Sequence, residues 1–224
     1  MGNTMRTIEM TVYKFTELGD AAKKKAREWY RRGLDGDNYF AEFVIEDAAT
    51  IADLMGIDLR KRSVRLMGGG TRQEPAVYWS GFSSQGDGAC FEGTWRASAV
   101  KPGAVAAYAP ADSEIQRIAT EFEKLAKEFP EASFRVNHRG YYSHENCTEF
   151  NFNFPDANDA EDWPEGNREQ WQGACDHLEE TAKDFMRWIY RQLEKEYEHT
   201  RSDEQVDESI IANEYEFEED GSRA

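Results

Sequence analysis

This sequence predicts an α+β fold: a single domain with a largely antiparallel sheet built from hairpins, and helices packed on it. Three observations lead there. Short stretches that alternate apolar and polar residues come mostly in pairs, joined by turns rich in Gly, Asp and Asn. Between them lie longer stretches with apolar residues at helical spacing. No internal repeat, low-complexity segment or long linker divides the 224 residues. The element order is β-αα-β-ββ-α-ββ-αα.

Taken in order, residues 7–15 alternate, with Ile8, Met10, Val12 and Phe15 inward, which predicts a half-buried strand. Asp20 then caps a helix to about Arg32, with Ala22, Ala26, Trp29 and Tyr30 on one face. After Gly33 and Gly36, Asp37 and Asn38 open a second helix from about Tyr39 to Met55. Its apolar positions are Phe40, Phe43, Val44, Ala48, Ile51, Ala52 and Met55, and Gly56 is its C′ residue. Residues 57–67 read as a strand with a basic solvent face (Arg60, Lys61, Arg62, Arg65), and Gly68-Gly69-Gly70 as a tip. From about Pro75 to Ala97 come a strand, a polar turn at Gln85-Gly86-Asp87-Gly88 and a return through Trp95. Asp112 or Ser113 caps a helix that Pro130 stops. Residues 132–154 form a second hairpin, 156–166 an acidic loop and about 167–197 a long helix. Ser202 and Asp203 cap a last helix to about Asn213. The domain covers 1–214, its helical acidic third beginning near 156. The tail, 215–224, alternates aromatic and acid, as an edge strand, a docking peptide or a disordered end.

A hydrophobic fraction of 39% with 13% aromatics predicts a folded globule rather than a disordered chain. No apolar run approaches the roughly 18 residues that span a bilayer, and Met1 to Arg6 lack a signal-peptide apolar region. The expectation is a cytoplasmic protein without membrane contact. Cys90, Cys147 and Cys175 match neither a disulfide framework nor a zinc pattern, so buried reduced thiols are expected. Charge is the more informative quantity. Residues 145–224 hold 7 Lys and Arg against 24 Asp and Glu, and so carry the whole net charge of −17. Direct nucleic-acid binding by that third is disfavoured, because phosphates need a basic surface. The region reads either as a solubilising face or as an acidic surface that occupies a site built for nucleic acid.

Two motifs carry candidate chemistry. The stretch Tyr78-Trp79-Ser80-Gly81-Phe82-Ser83-Ser84-Gln85-Gly86-Asp87-Gly88 is read as a structural Asp-Gly turn whose glycines accept positive φ, or as a ligand-facing loop. It is no phosphate-binding P-loop. The second motif, His138-Arg139-Gly140-Tyr141-Tyr142-Ser143-His144, is followed by Cys147 and Glu149. Its spacing fits no zinc pattern, and a Cys147 and His144 nucleophile pair lacks an orienting neighbour. Together the two motifs predict one aromatic-polar surface of Tyr78, Trp79, Ser83, Ser84, Gln85, Asp87, Arg139, Tyr141, Tyr142 and His144.

Several segments also resemble a family of small proteins encoded in bacteriophages and prophages, labelled hypothetical or "antitoxin of toxin–antitoxin stability system". The resemblance rests on Val12-Tyr13-Lys14-Phe15-Thr16-Glu17-Leu18, Ala26-Arg27-Glu28-Trp29-Tyr30, the stretch 80–93, Tyr108-Ala109-Pro110, Gly140-Tyr141-Tyr142-Ser143-His144, 188–197 and 211–217. Residues 60–74 read as an insertion. It implies a phage accessory protein that antagonises host defence or neutralises a toxin, and it supplies no catalytic residues. The resemblance thus implies a non-enzymatic inhibitor in the cytoplasm of a bacterial host cell, without cofactor or metal, whose partner is a bacterial defence or toxin protein. Glu179, Glu180, Asp184, Glu194 and Glu198 would form its acidic partner surface. The alternative is a sponge for a nucleotide signal, with Trp79 and the tyrosines stacking on a base, Ser83 and Gln85 holding polar groups, and Arg96 and Arg139 on phosphate. A hydrolase using His138 and His144 finds no supporting spacing.

Overall fold

The computed structural model describes residues 9–66, 68–154 and 165–224, with side chains from 169 onward in the last range. In chain order the elements are β1 (Tyr13–Lys14), α1 (Asp20–Gly33), α2 (Phe40–Leu54), β2 (Ile57–Leu59), β3 (Lys61–Arg65), β4 (Thr71–Pro75), β5 (Val77–Trp79) and β6 (Ala89–Phe91). They continue with β7 (Gly93–Arg96), α3 (Ala104–Tyr108), α4 (Ser113–Glu128), β8 (Ser133–His138), β9 (Thr148–Asn153), α5 (Glu165–Thr200), α6 (Asp203–Ala212) and β10 (Glu216–Phe217). Every ladder among the described residues is antiparallel: a four-stranded sheet in the order β2-β7-β8-β9, and the pairs β1-β10, β3-β4 and β5-β6. The α+β class and the hairpin construction are as the sequence predicts. No described helix is long and apolar enough to cross a membrane.

The chain divides into two compact units, Met1–Phe40 with Lys195–Ala224, and Ala41–Glu194. Both changeovers fall at helices, one at the start of α2 and one inside α5. No linker composition marks them.

In the larger unit one face of the four-stranded sheet is aromatic because the register aligns every second residue. Ile57, Trp95, Phe134 and Phe152 stand opposite one another across all four strands. Trp95 is fully buried, stacks on Phe134 at 5.6 Å and meets Phe122 of α4 at 5.7 Å. Its indole N–H donates to the Met55 carbonyl at 3.0 Å. Burying each such side chain contributes about 1.5–3 kcal/mol. Helix α4 starts where Asp112 accepts the amides of Glu114 and Ile115, both at 3.0 Å. Helix α5 buries Leu178, Ala182, Phe185 and Ile189, and Phe185 meets Phe91 of β6 at 5.8 Å. Gly56 ends α2 at φ 83°, and a Cβ there would lie 2.8 Å from the Arg96 carbonyl oxygen, so only glycine fits.

The smaller unit packs Phe15, Leu18, Ala22, Ala26, Val206, Ile210 and Phe217 together. Ser202 caps α6 through the Gln205 amide. Within the 215–224 tail only Glu216 and Phe217 form a strand: Phe217 pairs with Tyr13 on one side, bridges Arg223 on the other and is fully buried.

Some expectations are corrected. The first strand is two residues long, because β10 offers only two partners. Met10 and Val12 are exposed, while Phe15 turns inward in a 3₁₀ turn closed by Glu17 accepting the Lys14 amide at 2.7 Å. Ile8 and residues 156–164 of the acidic loop lie outside the described residues, and 165–166 belong to α5. Phe43 is 64% exposed and Ala41 is buried in its place, while Ala48, Ile51 and Ala52 are buried as expected. The 57–67 strand breaks at Arg60, whose amide bonds the Glu92 carbonyl at 2.8 Å. Residues 71–75 form a strand of their own, paired with β3, so 61–75 is a separate hairpin and the next strand begins at Val77.

Candidate functional site

Two loops of the larger unit meet: residues 80–88, between β5 and β6, and residues 139–147, between β8 and β9. The first is closed at its base by the Ser80 amide donating to the Gly88 carbonyl at 3.1 Å. Inside it, Asp87 Oδ2 accepts the amides of Ser83 (2.8 Å) and Ser84 (2.6 Å), and the Asp87 amide returns to the Ser84 carbonyl at 3.0 Å. These donors, Ser83 first, hold the Asp87 carboxyl below its ordinary range. The expected tight Asp-Gly turn is therefore a nine-residue loop organised by a carboxylate.

The glycines have a different reason from the one the sequence suggests. Neither Gly86 nor Gly88 has positive φ. A Cβ on Gly86 would lie 2.6 Å and 2.7 Å from two ring carbons of Tyr142, and one on Gly88 would lie 3.1 Å from His144. They let the second loop lie directly on the first. Tyr142 is held from behind as well, its carbonyl accepting from His138 Nε2 at 2.9 Å. Tyr141 stands edge-on to Tyr142 at 5.3 Å and is 91% exposed.

Below this surface, the His138 ring lies 5.0 Å from that of Tyr78. Glu92 ties them together, accepting from the Tyr78 hydroxyl (3.3 Å), the His138 amide (3.3 Å) and Arg60 (3.2 Å). Burial first, then the Glu92 charge, pushes the Tyr78 phenol up. Trp79 stacks on Phe82 at 5.7 Å, Phe82 packs on Tyr190 of α5, and the Tyr190 hydroxyl donates to the Gly81 carbonyl at 3.0 Å. Ser83, Ser84 and Gln85 are exposed at the loop tip, and Arg139 pairs with Glu149 at 2.6 Å.

His144 faces Glu145 at 3.0 Å, and Glu145 lies 3.2 Å from Arg187 of α5. Arg187 also holds Glu180 (2.9 Å) and Asp184 (2.7 Å), Arg117 reaches Asp184 at 2.7 Å, and Lys183 pairs with Glu179 at 2.7 Å. Three of the five acids expected to face a partner are thus compensated within the chain. Glu194 is half-buried and Glu198 is exposed.

The structure lays Tyr142 and His144 on Gly86 and Gly88, either side of Asp87, with Tyr141 beside Tyr142 and Tyr78 below against His138; Trp79 faces Phe82 instead. The sequence reading missed Glu92, which anchors Tyr78 and His138, and Tyr190, which holds the Gly81 carbonyl. Among the described residues no three His, Cys, Asp or Glu side chains are placed to hold a metal ion. Cys90 is free and buried, and its thiol is pushed up to about 12, chiefly by that burial; Cys147 and Cys175 are free and half-buried. A groove of about 440 Å³ opens beside Glu92, lined by Asp58, Arg60, Thr94, Arg135 and Asn137 rather than by the Gln85 loop.

Residues 40–203 match a family described as a domain of unknown function (DUF8835), and because the match covers most of the chain, the protein belongs to that family. No curated protein and no solved structure matches it.

Proposed function

We propose that this DUF8835 protein is a non-enzymatic accessory protein of a phage or prophage. In the cytoplasm of the bacterial host it docks on a defence or toxin protein and inhibits it, through the surface formed by residues 80–88 and 139–147. The observation that carries this reading is Tyr141, a large aromatic side chain 91% exposed yet standing on a fixed support. Tyr142 backs it, Gly86 leaves room for Tyr142, and His138 holds the Tyr142 carbonyl. Such a residue loses little rotamer freedom on binding and contributes a large contact, the character of an interface hot spot. The resemblance of 80–93 and 140–144 to phage-encoded proteins supports the biological setting. Acidic mimicry of nucleic acid is a weaker reading for α5, since Glu179, Glu180 and Asp184 already face cations of the same chain. The sponge reading has less support too, because one face of Trp79 is covered by Phe82.

The test uses bacterial strains that each carry one defence system or one toxin, grown with and without the protein. The expected outcome is restored phage plating or restored growth in at least one strain. Tyr141→Ala with Tyr142→Ala should remove that rescue while the fold stays intact by circular dichroism. Glu194→Gln with Glu198→Gln should leave it unchanged. Full inhibition by the tyrosine variant, or its loss in the acid variant alone, would sink the loop-docking reading.

A further inference from the structure

The four-stranded sheet ends in β9, a six-residue strand with one neighbour among the described residues. The phase of its ladder follows from one bond beyond its end, the Arg139 amide donating to the Cys147 carbonyl at 2.7 Å. In an antiparallel pair, hydrogen-bonded and non-bonded residue pairs alternate. With 139 and 147 bonded, the bonded pairs within the ladder are 137 with 149, 135 with 151 and 133 with 153. The N–H and C=O groups of Thr148, Phe150 and Phe152 therefore point outward. Among the described residues none of them has a main-chain partner beyond the sheet.

Most of the devices that keep edges apart are missing here: the strand has no proline, no lysine and an unbroken register, and its one charge, Glu149, is paired with Arg139. On the core side Phe150 and Phe152 stack on each other at 5.9 Å and stay half-buried. On the other side stand Glu149, Asn151 and Asn153, all exposed.

We propose that β9 pairs antiparallel with β9 of a second copy of this chain, about a two-fold axis at Asn151. A two-fold axis perpendicular to the sheet keeps core face with core face, so the axis must pass through a residue rather than between two. At Asn151 it sets Phe150 opposite the second copy's Phe152, and Phe152 opposite its Phe150. Their outward N–H and C=O groups then close four main-chain hydrogen bonds, and two aromatic cross-strand pairs form. Asn151 faces Asn151, and Glu149 faces Asn153, so no like charges oppose each other. Centring on Phe150 instead would set Phe152 against Thr148 and lose one aromatic pair. The strand is thus complementary to itself, which singles out a second copy over an unrelated peptide. This inference is independent of the docking surface proposed above.

The molecular mass of the purified chain is measured by sedimentation equilibrium at moderate salt, because two chains of −17 repel at low ionic strength. With rising concentration the mass is expected to climb from 25.8 kDa towards twice that value. Asn151→Asp and Asn151→Lys each place like charges on the axis. Asn151 lies on the exposed face, so the fold is kept, as circular dichroism checks. Each variant alone should hold the single-chain mass at concentrations where the wild type is mostly paired. An equimolar mixture of the two should regain the doubled mass. A wild type that stays at 25.8 kDa throughout overturns the proposal. So do variants that pair like the wild type, or a mixture that does not recover. Tyr141→Ala with Tyr142→Ala should remain paired, which separates this result from the docking reading.

Discussion

Replacing Gly86 by alanine tests whether the two loops are fitted to each other. The added methyl would sit 2.6 Å and 2.7 Å from ring carbons of Tyr142. Ordinary carbon–carbon contacts are roughly 3.5–4.0 Å, so the ring must retreat by about 1 Å. The ring is 55% exposed, so it must swing towards solvent, giving up its place on the first loop and its edge contact with Tyr141, while its carbonyl stays held by His138. Overpacking of this kind costs about 1–3 kcal/mol. The backbone at Gly86 is not left-handed, so alanine also gains about 0.4–1 kcal/mol from a less flexible unfolded chain. The net expectation is a loss of about 0.5–2 kcal/mol, or a fall of a few degrees in Tm for a chain of this size. Urea unfolding measures it as a lower midpoint with unchanged slope. The sharper assay is a double-mutant cycle. In a Tyr142→Ala background the obstruction is gone, and Gly86→Ala should become neutral or stabilising by up to about 1 kcal/mol. An equal loss in both backgrounds, or no loss in the wild-type background, would refute the fitted-loop reasoning.

Two further outcomes are expected. The Asp87 carboxyl is held below its ordinary 3.8 by the Ser83 and Ser84 amides. Its contribution to loop order is therefore complete above 3.8 and is lost as pH falls through the depressed value. The Ser83 and Ser84 amide resonances should stay in place down to about pH 4 and move only below it, and Asp87→Asn should abolish that acid-side change. Trp95→Phe removes the donor to the Met55 carbonyl and leaves a cavity beside Phe122 and Phe134. Thermal unfolding should show a loss of about 2–4 kcal/mol, and a loss under about 1 would mean that the core closes over the gap.

Where one residue's own chemistry decides the outcome, the sequence was readable. Asp112 and Ser202 cap α4 and α6 because a short acceptor side chain satisfies amides two or three residues on, a purely local matter. The alternation of Phe134, Val136, Phe150 and Phe152 located the second hairpin because one sheet face is buried. The strand at 71–75 was hidden for the opposite reason. Thr71, Arg72, Gln73, Glu74 and Pro75 show no apolar alternation, and polar pairs such as Gln73 with Ser63 at 2.6 Å help hold it to β3. Gly86 and Gly88 show the limit most plainly. A glycine required by backbone angle and one required by a neighbour's approach look alike in one dimension, and Tyr142 lies more than fifty residues further along. Counting acids had the same blind spot, since Arg117 reaches Asp184 from 67 residues away.

The pairing of β1 with β10 bears on the order in which the chain can fold as it is made. Tyr13 finds its partner only when Phe217 has been synthesised, roughly 200 residues later. The entropy of closing so long a loop grows only slowly with its length, so stability suffers little, but time does. At a synthesis rate of about 5–20 residues per second, α1 waits ten seconds or more for the strand that completes its unit. Throughout that interval Phe15, Ala22 and Ala26 are without Val206, Ile210 and Phe217, with which they pack in the finished fold. The 41–194 unit contains all its own strands and is free to form first. A ribosome stalled shortly before Phe217 would therefore hold a folded larger unit together with an amphipathic α1 whose apolar face is unsheltered, a species for chaperones to recognise.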